Sequence, residues 1–214
     1  MGYSLKNKKI LITCGPTWVP IDAVRVVSNI SSGALGQRIA LDCVRAGAKV
    51  VLLEGPVAAP LLSRSIRILK FRFFDELHKL LKQELHKDVD AVIHAAAVAD
   101  YKLKKSLPRK LSSKEKVLRL ELVQTPKLIQ TIKRLQPKIF LVGFKLEPVV
   151  SLQSAKKEAK DLFLKADCDV VVANQVTAQG YKGFILDSTD TVLGSGNSRK
   201  AMSTALIRLL SGRL

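Results

Sequence analysis

The sequence predicts an α/β fold: a three-layer, mainly parallel, Rossmann-like sheet with helices on both faces and a C-terminal antiparallel extension. Short apolar runs alternate along the chain with longer amphipathic stretches, which is the pattern of strand–helix–strand units. The runs at 10–14, 91–96 and 139–144 are almost continuously apolar, as in strands that are buried on both faces. We expect right-handed crossovers and a ligand site outside the carboxyl ends of the strands.

Each element follows from its local pattern. The predicted strands span 10–14, 49–53, 66–71, 91–96, 139–144 and 169–173, and the predicted helices span 37–46, 75–86, 151–165 and 198–209. Thr125 is predicted as the N-cap and Pro126 as the first residue of a further helix. The alternation in 117–123 indicates an edge strand or a hairpin arm, and 183–193 indicates the antiparallel extension.

Composition predicts one domain, 1–214, with a sizeable apolar core, because 47% of the 214 residues are hydrophobic. No apolar run approaches the length of a membrane span. Cys14, Cys43 and Cys168 are odd in number and lie in apolar surroundings, which favours reduced core thiols and a cytoplasmic location. The net charge of +18 allows a nucleic-acid partner. We do not expect one, since no nucleic-acid-binding motif accompanies the basic block 102–116.

The segment after the first strand is too long and too polar for a plain connection. Gly33 and Gly36 leave the backbone open at a predicted helix start, where free N–H groups and the helix dipole favour an anion. Ser28, Ser31 and Ser32 add hydroxyl donors. The glycine spacing matches neither the dinucleotide fingerprint nor a Walker sequence.

Four blocks carry a resemblance to a known family. They are GPT…PIDAVR…SN…SSG (15–33), AAAVADY (95–101), VGFKLE (142–147) and VAN (172–174). In this order they resemble phosphopantothenate–cysteine ligase over nearly the whole chain. In many bacteria that domain follows a flavin-dependent decarboxylase domain. No such domain is recognised in 1–214, so we expect a stand-alone ligase. The motifs resemble the bacterial, CTP-dependent pattern.

The resemblance implies a two-step ligation in coenzyme A biosynthesis. The carboxylate of 4′-phosphopantothenate attacks the α-phosphorus of CTP, or of ATP in eukaryotic relatives, and pyrophosphate leaves. The amine of L-cysteine then displaces the nucleotide. Mg²⁺ is expected to be held by the triphosphate, its protein ligands being unknown, and family members are homodimers. Because an acyl nucleotidylate hydrolyses in water, we expect 102–116 to form a flexible lid.

The resemblance assigns the catalytic roles to Asn29 and Lys110. Asn29 would orient the activated pantothenoyl group, together with Arg25 and Ala97, and Lys110 would close on the α-phosphate. Each has a structural alternative: Asn29 as a loop cap, Arg25 in an ion pair with Asp22, and Lys110 as a solvated lysine of a basic run. The register of Lys110 depends on the positions of Tyr101 and Pro108.

The resemblance also implies a set of nucleotide contacts. They are Gly15, Ser31, Ser32, Gly33, Ala96, Asp100, Lys110, Val123, Gln124, Thr125, Pro126, Phe144, Lys160 and Lys165. Lys156 and Lys157 compete with Lys160 and Lys165 for the triphosphate, and Phe144 has core packing as its alternative. His94, which precedes the second block on a buried strand, is interpreted as a core imidazole.

Two other function classes stay open. An oxidoreductase with a similar fold would use a dinucleotide, although the glycine fingerprint and a Tyr-x-x-x-Lys pair are missing. A basic binding protein without catalysis would retain duplex nucleic acid with a steep salt dependence.

Overall fold

Among the described residues, eight strands form one central sheet, and two small ribbons lie outside it. The computed structural model describes residues 3–105, 109–112, 116–178 and 180–214. The strands are β1 (Lys9–Cys14), β2 (Trp18–Pro20), β3 (Val26–Ser28), β4 (Lys49–Glu54), β5 (Ile66–Lys70), β6 (Ala91–His94), β7 (Tyr101–Leu103), β8 (Leu122–Gln124), β9 (Phe140–Leu146), β10 (Val170–Thr177), β11 (Gly180–Leu186) and β12 (Val192–Gly196). The helices are α1 (Ala34–Arg45), α2 (Phe74–Leu85), α3 (Leu128–Leu135), α4 (Leu152–Ala166) and α5 (Arg199–Arg213).

The order of the large sheet is β12-β11-β10-β9-β6-β1-β4-β5. All neighbours from β10 to β5 pair in parallel, and β11 and β12 are antiparallel. The predicted parallel sheet with an antiparallel C-terminal extension is therefore confirmed. After β1 the chain extends the sheet on one side with β4 and β5, and then on the other with β6, β9 and β10. A crevice for ligands is expected at this reversal.

Helices cover both faces, as predicted. α1 and α5 pack on one face, and α2, α3 and α4 pack on the other. Along β1, Ile10 and Ile12 belong to the first core and Leu11 belongs to the second. A strand that is covered on both sides needs apolar residues at successive positions, which explains the continuous run at 10–14.

Side-chain caps fix the starts of the last two helices. Ser151 Oγ accepts a hydrogen bond from the N–H of Ser154 at the start of α4. Ser198 Oγ accepts one from Ala201 at the start of α5, and both distances are 3.1 Å. Each cap satisfies one of the N–H groups that a helix end leaves free.

The predicted cap at Thr125 and Pro126 is wrong. α3 begins only at Leu128, and Lys127 occupies the N-cap position. The hydroxyl of Thr125 instead donates to the carbonyl of Ala99 at 2.7 Å in a buried contact, so it is not available to cap a helix.

The alternating segment 117–123 forms a hairpin arm, which is one of its two predicted forms. Only β8 at its end is a strand, and it pairs antiparallel with β7. The preceding side chains, from Val117 to Leu120, are exposed. None of the helices in the described ranges combines the length and the apolar character that a membrane span requires.

Candidate active site

The loops that follow β1 and β6 lie against each other at the carboxyl edge of the sheet. The N–H of Ala97 donates to the carbonyl of Gly15 at 2.9 Å, and the N–H of Thr17 donates to the carbonyl of Ala97 at 3.2 Å. The N–H of Ala96 donates to Thr13 Oγ1 at 3.1 Å. The structure thus brings Gly15, Ala96 and Ala97 together where the strand order reverses.

Gly15 and Gly33 pack face to face where α1 begins. Their φ angles are 78° and 70°, in the left-handed region. A Cβ at Gly33 would lie 2.8 Å from Val57 Cγ1, so a side chain there meets both strain and a clash. Gly33 occupies the N-cap position and offers no side-chain cap, and the N–H of Ala34 lies 3.4 Å from Ser32 Oγ. A bond of that length is weak, so the first N–H groups of α1 can exchange it and form a cradle suited to an anion.

A buried carboxylate at the end of β4 holds the loop 55–61 beside this cradle. Glu54 is fully buried. It accepts hydrogen bonds from Gln37 Nε2 at 2.7 Å, from the N–H of Leu61 at 3.1 Å, and from Lys70 Nζ. Glu54 therefore links α1, β5 and the loop. Sequence reasoning missed this role, because its partners are far apart along the chain.

Asn29 lies on the loop after β3, directly against the second block. Its Nδ2 group is 3.4 Å from the carbonyl oxygens of Ala97 and Val98. The side chain is exposed. Both distances are longer than in ordinary N–H···O hydrogen bonds, so the two contacts are weak. The amide is thus positioned beside Ala97 and can exchange these bonds for a ligand oxygen.

Arg25 makes the ion pair that was its structural alternative. Its Nη1 lies 3.4 Å from Asp22 Oδ2, and its Nη2 lies 3.5 Å from the carbonyl of Leu111. The N–H of Leu111 donates to Asp22 at 3.0 Å. This bond, with those from the N–H groups of Val24 and Arg25 and the charge of Arg25, lowers the pKa of Asp22.

Lys110 is exposed and precedes Leu111, so it lies beside the turn at 21–25. Of the predicted lid, 102–116, residues 106–108 and 113–115 lie outside the described residues. Its described ends contact other segments: the N–H of Lys104 donates to the carbonyl of Glu121 at 3.0 Å, where the two side chains also form an ion pair at 2.6 Å.

Asp100 lies at the base of the β7–β8 ribbon. Its carboxylate is 2.6 Å from Lys127 Nζ, and its carbonyl accepts from the N–H of Thr125 at 2.9 Å. The remaining predicted contacts of this region are Val123 and Gln124 in β8 and the exposed Pro126. The ribbon therefore brings the predicted nucleotide residues from 100 and 123–126 together.

Phe144 lies in β9 and is half-buried. It packs against the core that α1 and α5 share, as its core-packing alternative predicts. The next residue, Lys145, lies 3.1 Å from Glu158 and 3.6 Å from Glu147. Burial lowers the pKa of Lys145, but its hydrogen bonds and ion pairs with the two carboxylates outweigh burial and raise it.

Lys160 and Lys165 are not brought to the carboxyl edge. α4 runs from that edge towards the opposite one, where the N–H of Asp169 donates to the carbonyl of Leu141 at the start of β9. Lys165 lies in the last turn and contacts Asp161 at 2.8 Å. Lys160 is 4.0 Å from Asp190, in the turn between β11 and β12. The competing residues, Lys156 and Lys157, lie nearer to the carboxyl edge.

Asn174 and Gln175 tie β10 to the loop that leads into α4. The carbonyl of Asn174 accepts from the N–H of Glu147 at 2.8 Å. Gln175 Oε1 accepts from the N–H of Val150 at 2.5 Å. A side-chain oxygen at position 175 therefore helps fix the path of the chain between β9 and α4.

His94 is a neutral core imidazole. Its Nδ1 lies 3.0 Å from Thr13 Oγ1, and that oxygen also accepts from the N–H of Ala96. The Thr13 hydroxyl thus links the imidazole at the end of β6 to the chain that follows it. Burial lowers the pKa of His94 to about 4.

The three cysteines are buried free thiols, Cys14, Cys43 and Cys168. Burial raises the pKa of each, to about 12 for Cys43 and Cys168, so their reactive thiolate form is disfavoured. Within the described part of the chain, no group of three or more His, Cys, Asp or Glu residues is placed to hold a metal ion. The expectation that a triphosphate carries Mg²⁺ stays a prediction.

Residues 5–206 match the protein family described as the DNA/pantothenate metabolism flavoprotein C-terminal domain. The coenzyme A biosynthesis bifunctional protein CoaBC of Thermococcus kodakarensis is 34% identical over 213 residues, which cover 99% of this chain and 51% of the relative. CoaBC of Bacillus subtilis is 30% identical over 184 residues, 86% of this chain and 44% of the relative. The chain spans about half the length of these curated relatives.

Solved structures share the fold. The crystal structure of the C-terminal domain of a CoaBC protein has a TM-score of 0.82 at 26% identity, and covers 99% of this chain and 98% of that one. The DNA/pantothenate metabolism flavoprotein from Streptococcus pneumoniae has a TM-score of 0.86 at 24% identity, over 97% of this chain and all of that one.

Proposed function

This chain belongs to the family of DNA/pantothenate metabolism flavoprotein C-terminal domains, and from that premise we propose that it is a phosphopantothenate–cysteine ligase of coenzyme A biosynthesis. The carboxylate of 4′-phosphopantothenate attacks the α-phosphorus of CTP, which releases pyrophosphate and forms an acyl-cytidylate. The amine of L-cysteine then forms the amide bond and releases CMP. The observation that carries the proposal is the contact of Asn29 with Ala97 and Val98 beside the open start of α1.

Asn29 acts on the acid substrate. Its Nδ2 group exchanges two weak bonds to carbonyl oxygens for a bond to the acyl oxygen, and it adds no charge to the site. Ala97 supplies the adjacent backbone. The free N–H groups at the start of α1, with Ser31 and Ser32, offer neutral donors to a phosphate. Because carboxylate and triphosphate repel each other, such donors are needed before the reaction starts.

Lys110 acts on the nucleotide. An exposed ammonium on a long side chain can reach the α-phosphate and stabilise the charge that develops as pyrophosphate or CMP leaves. We propose CTP rather than ATP as co-substrate, with Mg²⁺ held by the triphosphate, on the resemblance of the motifs to the bacterial pattern. Residues 102–116 would serve as the lid of a single domain, 1–214, in the cytoplasm.

A second copy of this chain is the proposed partner. The two ribbons and the chain next to them expose apolar side chains: Val24, Val27, Ile30, Tyr101, Leu118 and Leu122. Because β2 contacts β7, the two ribbons lie side by side, and a second copy docked on them would cover these side chains. Ile30→Asp should convert a dimer to a monomer in analytical ultracentrifugation, and Leu62→Asp, at an exposed position away from the ribbons, should not. A wild-type monomer would contradict the dimer.

The ligase is tested by pyrophosphate release in one coupled assay. Turnover should require 4′-phosphopantothenate and nucleotide together, and a panel of CTP, ATP, GTP and UTP gives the preference. Asn29→Ala should lose turnover and stay folded by circular dichroism, whereas Gln83→Ala, an exposed amide on α2, should keep the wild-type rate. Lys110→Ala should still bind nucleotide, but in single-turnover measurements the acyl-cytidylate should accumulate or react more slowly. A normal rate in Asn29→Ala would refute the site, and an NAD-dependent absorbance change would favour the oxidoreductase.

A further inference from the structure

The carboxylate of Asp22 joins two segments that lie far apart along the chain. Its side chain is fully buried, although it lies on a surface turn. Oδ1 accepts hydrogen bonds from the N–H groups of Val24 and Arg25 at 2.9 and 2.8 Å, which forms the turn after β2. Oδ2 accepts the N–H of Leu111 at 3.0 Å, 89 residues later. One oxygen thus builds the turn, and the other holds the segment 109–112.

Arg25 completes this contact from the other side. Its guanidinium lies 3.4 Å from Asp22 Oδ2 and 3.5 Å from the carbonyl of Leu111. Both backbone groups of Leu111 therefore have partners on the turn at 21–25. A hydrogen bond to a charged group is stronger than one between neutral groups. The peptide that follows Lys110 is fixed, whereas the Lys110 side chain stays exposed.

The same turn is coupled to the acid-substrate side of the site. β2 and β3 form a two-stranded ribbon, and Asn29 follows β3 directly. Asn29 is four positions after Arg25, which is at most about 13 Å of extended chain. A short ribbon with a hydrogen-bonded turn keeps this distance nearly constant.

We propose that Asp22 is a positioning residue, which holds the backbone of Leu111 and thereby places Lys110 at a fixed distance from Asn29. The inference rests on the proposed function for the role of Lys110. The contact between Asp22 and Leu111 is independent of that function. Both oxygens of Asp22 already accept from backbone N–H groups, so Asp22 acts through the peptide that it binds. Its loss should therefore lower kcat through Lys110.

Two substitutions separate the contact from the turn. In Asp22→Asn, one oxygen still accepts from Val24 and Arg25, but an amide NH₂ then faces the N–H of Leu111. In Asp22→Ser, the hydroxyl can still form the turn and is too short to reach Leu111. Asp42→Asn is the matched control, because that carboxylate also pairs with arginines, Arg38 and Arg45, and its other contact, a hydrogen bond from Ser203 in α5 at 2.7 Å, does not involve the segment 109–112.

The first measurement is limited trypsin digestion of the full chain, with cleavage after Arg109 and Lys110 followed by mass spectrometry. Both Asp22 variants should be cleaved there on the order of tenfold faster than wild type. The segment 109–112 unfolds locally more often once the N–H of Leu111 is no longer bound to Asp22. Asp42→Asn should be cleaved at the wild-type rate. Equal rates in all four proteins would refute the contact, whether or not the chain is a ligase.

The second measurement is a double-mutant cycle on kcat for pyrophosphate release. Asp22→Asn should lower kcat roughly tenfold in the wild-type background and have no further effect in Lys110→Ala, because the two residues act through one group. An equal loss in both backgrounds would overturn the positioning role. Absence of turnover in wild type would refute the proposed ligase, and the digestion alone would then decide whether Asp22 holds Leu111.

Discussion

Acidification should destabilise this protein well before its carboxylates are protonated, because of His94. Burial lowers the pKa of His94 to about 4, whereas the unfolded chain has the ordinary value of 6.5. Between these two values the unfolded state binds one proton more than the folded state, so stability falls as the pH falls.

The expected loss follows from the two pKa values. Each pH unit between them removes about 1.4 kcal/mol from the free energy of unfolding, which gives about 2 kcal/mol between pH 6.5 and pH 5. Asp22, Asp42 and Glu84 have lowered pKa values in the folded state. Their contributions are lost only as the pH falls through the carboxylate range, below this window. His94 therefore dominates the change down to pH 5.

The assay is guanidinium unfolding at pH 7 and pH 5, on wild type and on His94→Asn. The asparagine oxygen can take the place of Nδ1 as an acceptor and does not titrate. The variant is less stable at both pH values, but it should lose about 2 kcal/mol less than wild type between them. His78→Gln, in which a half-buried ring on α2 is replaced, is the control and should retain most of the wild-type loss. An equal loss in wild type and His94→Asn would refute the reasoning.

Two further pairs of substitutions test the packing at the start of α1 and the binding of nucleotide near α4. Gly36→Ala should destabilise the fold by about 1–2 kcal/mol in thermal unfolding, because its Cβ would lie 2.5 Å from Cys14 Cβ and overpacking outweighs the helix propensity of alanine. Gly212→Ala, which has nothing within 4 Å of its Cβ, should be neutral or slightly stabilising. Lys156→Ala should raise the KM for nucleotide severalfold, whereas Lys165→Ala should change it less than twofold. The reason is that α4 leads away from the carboxyl edge, so Lys156 is nearer to it. A larger rise in KM for Lys165→Ala than for Lys156→Ala would place the triphosphate at the other end of α4.

Buried strands were the most predictable part of the fold. The runs at 10–14 and 139–144 were predicted as strands because both faces of the sheet are covered, and β1 and β9 occupy those positions. The ribbon of β2 and β3 gave no comparable signal, since its strands have three residues each and β3 is fully exposed. The cap at Thr125 failed because a tertiary contact, the carbonyl of Ala99, takes the hydroxyl.

The contacts of the candidate site likewise differ in how well the sequence predicts them. Gly15 and Ala97 could be predicted to meet, because both follow strands whose carboxyl ends share one edge. The pairing of Asp22 with Leu111 could not, since no periodicity relates a turn to a segment 89 residues away. Lys165 shows the opposite case. The family resemblance implies a triphosphate contact for Lys165, but the direction of α4 carries it to the far end of the sheet.

The position of the β2–β3 ribbon suggests why one loop carries both Arg25 and Asn29. The loop begins at Gly15, which is held by Ala97 at the sheet edge, and it ends at Gly33, where α1 begins. Between these fixed points the ribbon leaves the sheet and returns, so its turn reaches Leu111 while its end stays on Ala97. A short connection between β1 and α1 could not contact both Leu111 and Ala97. In a ligase that must hold an acid and a triphosphate together, this loop would set their separation.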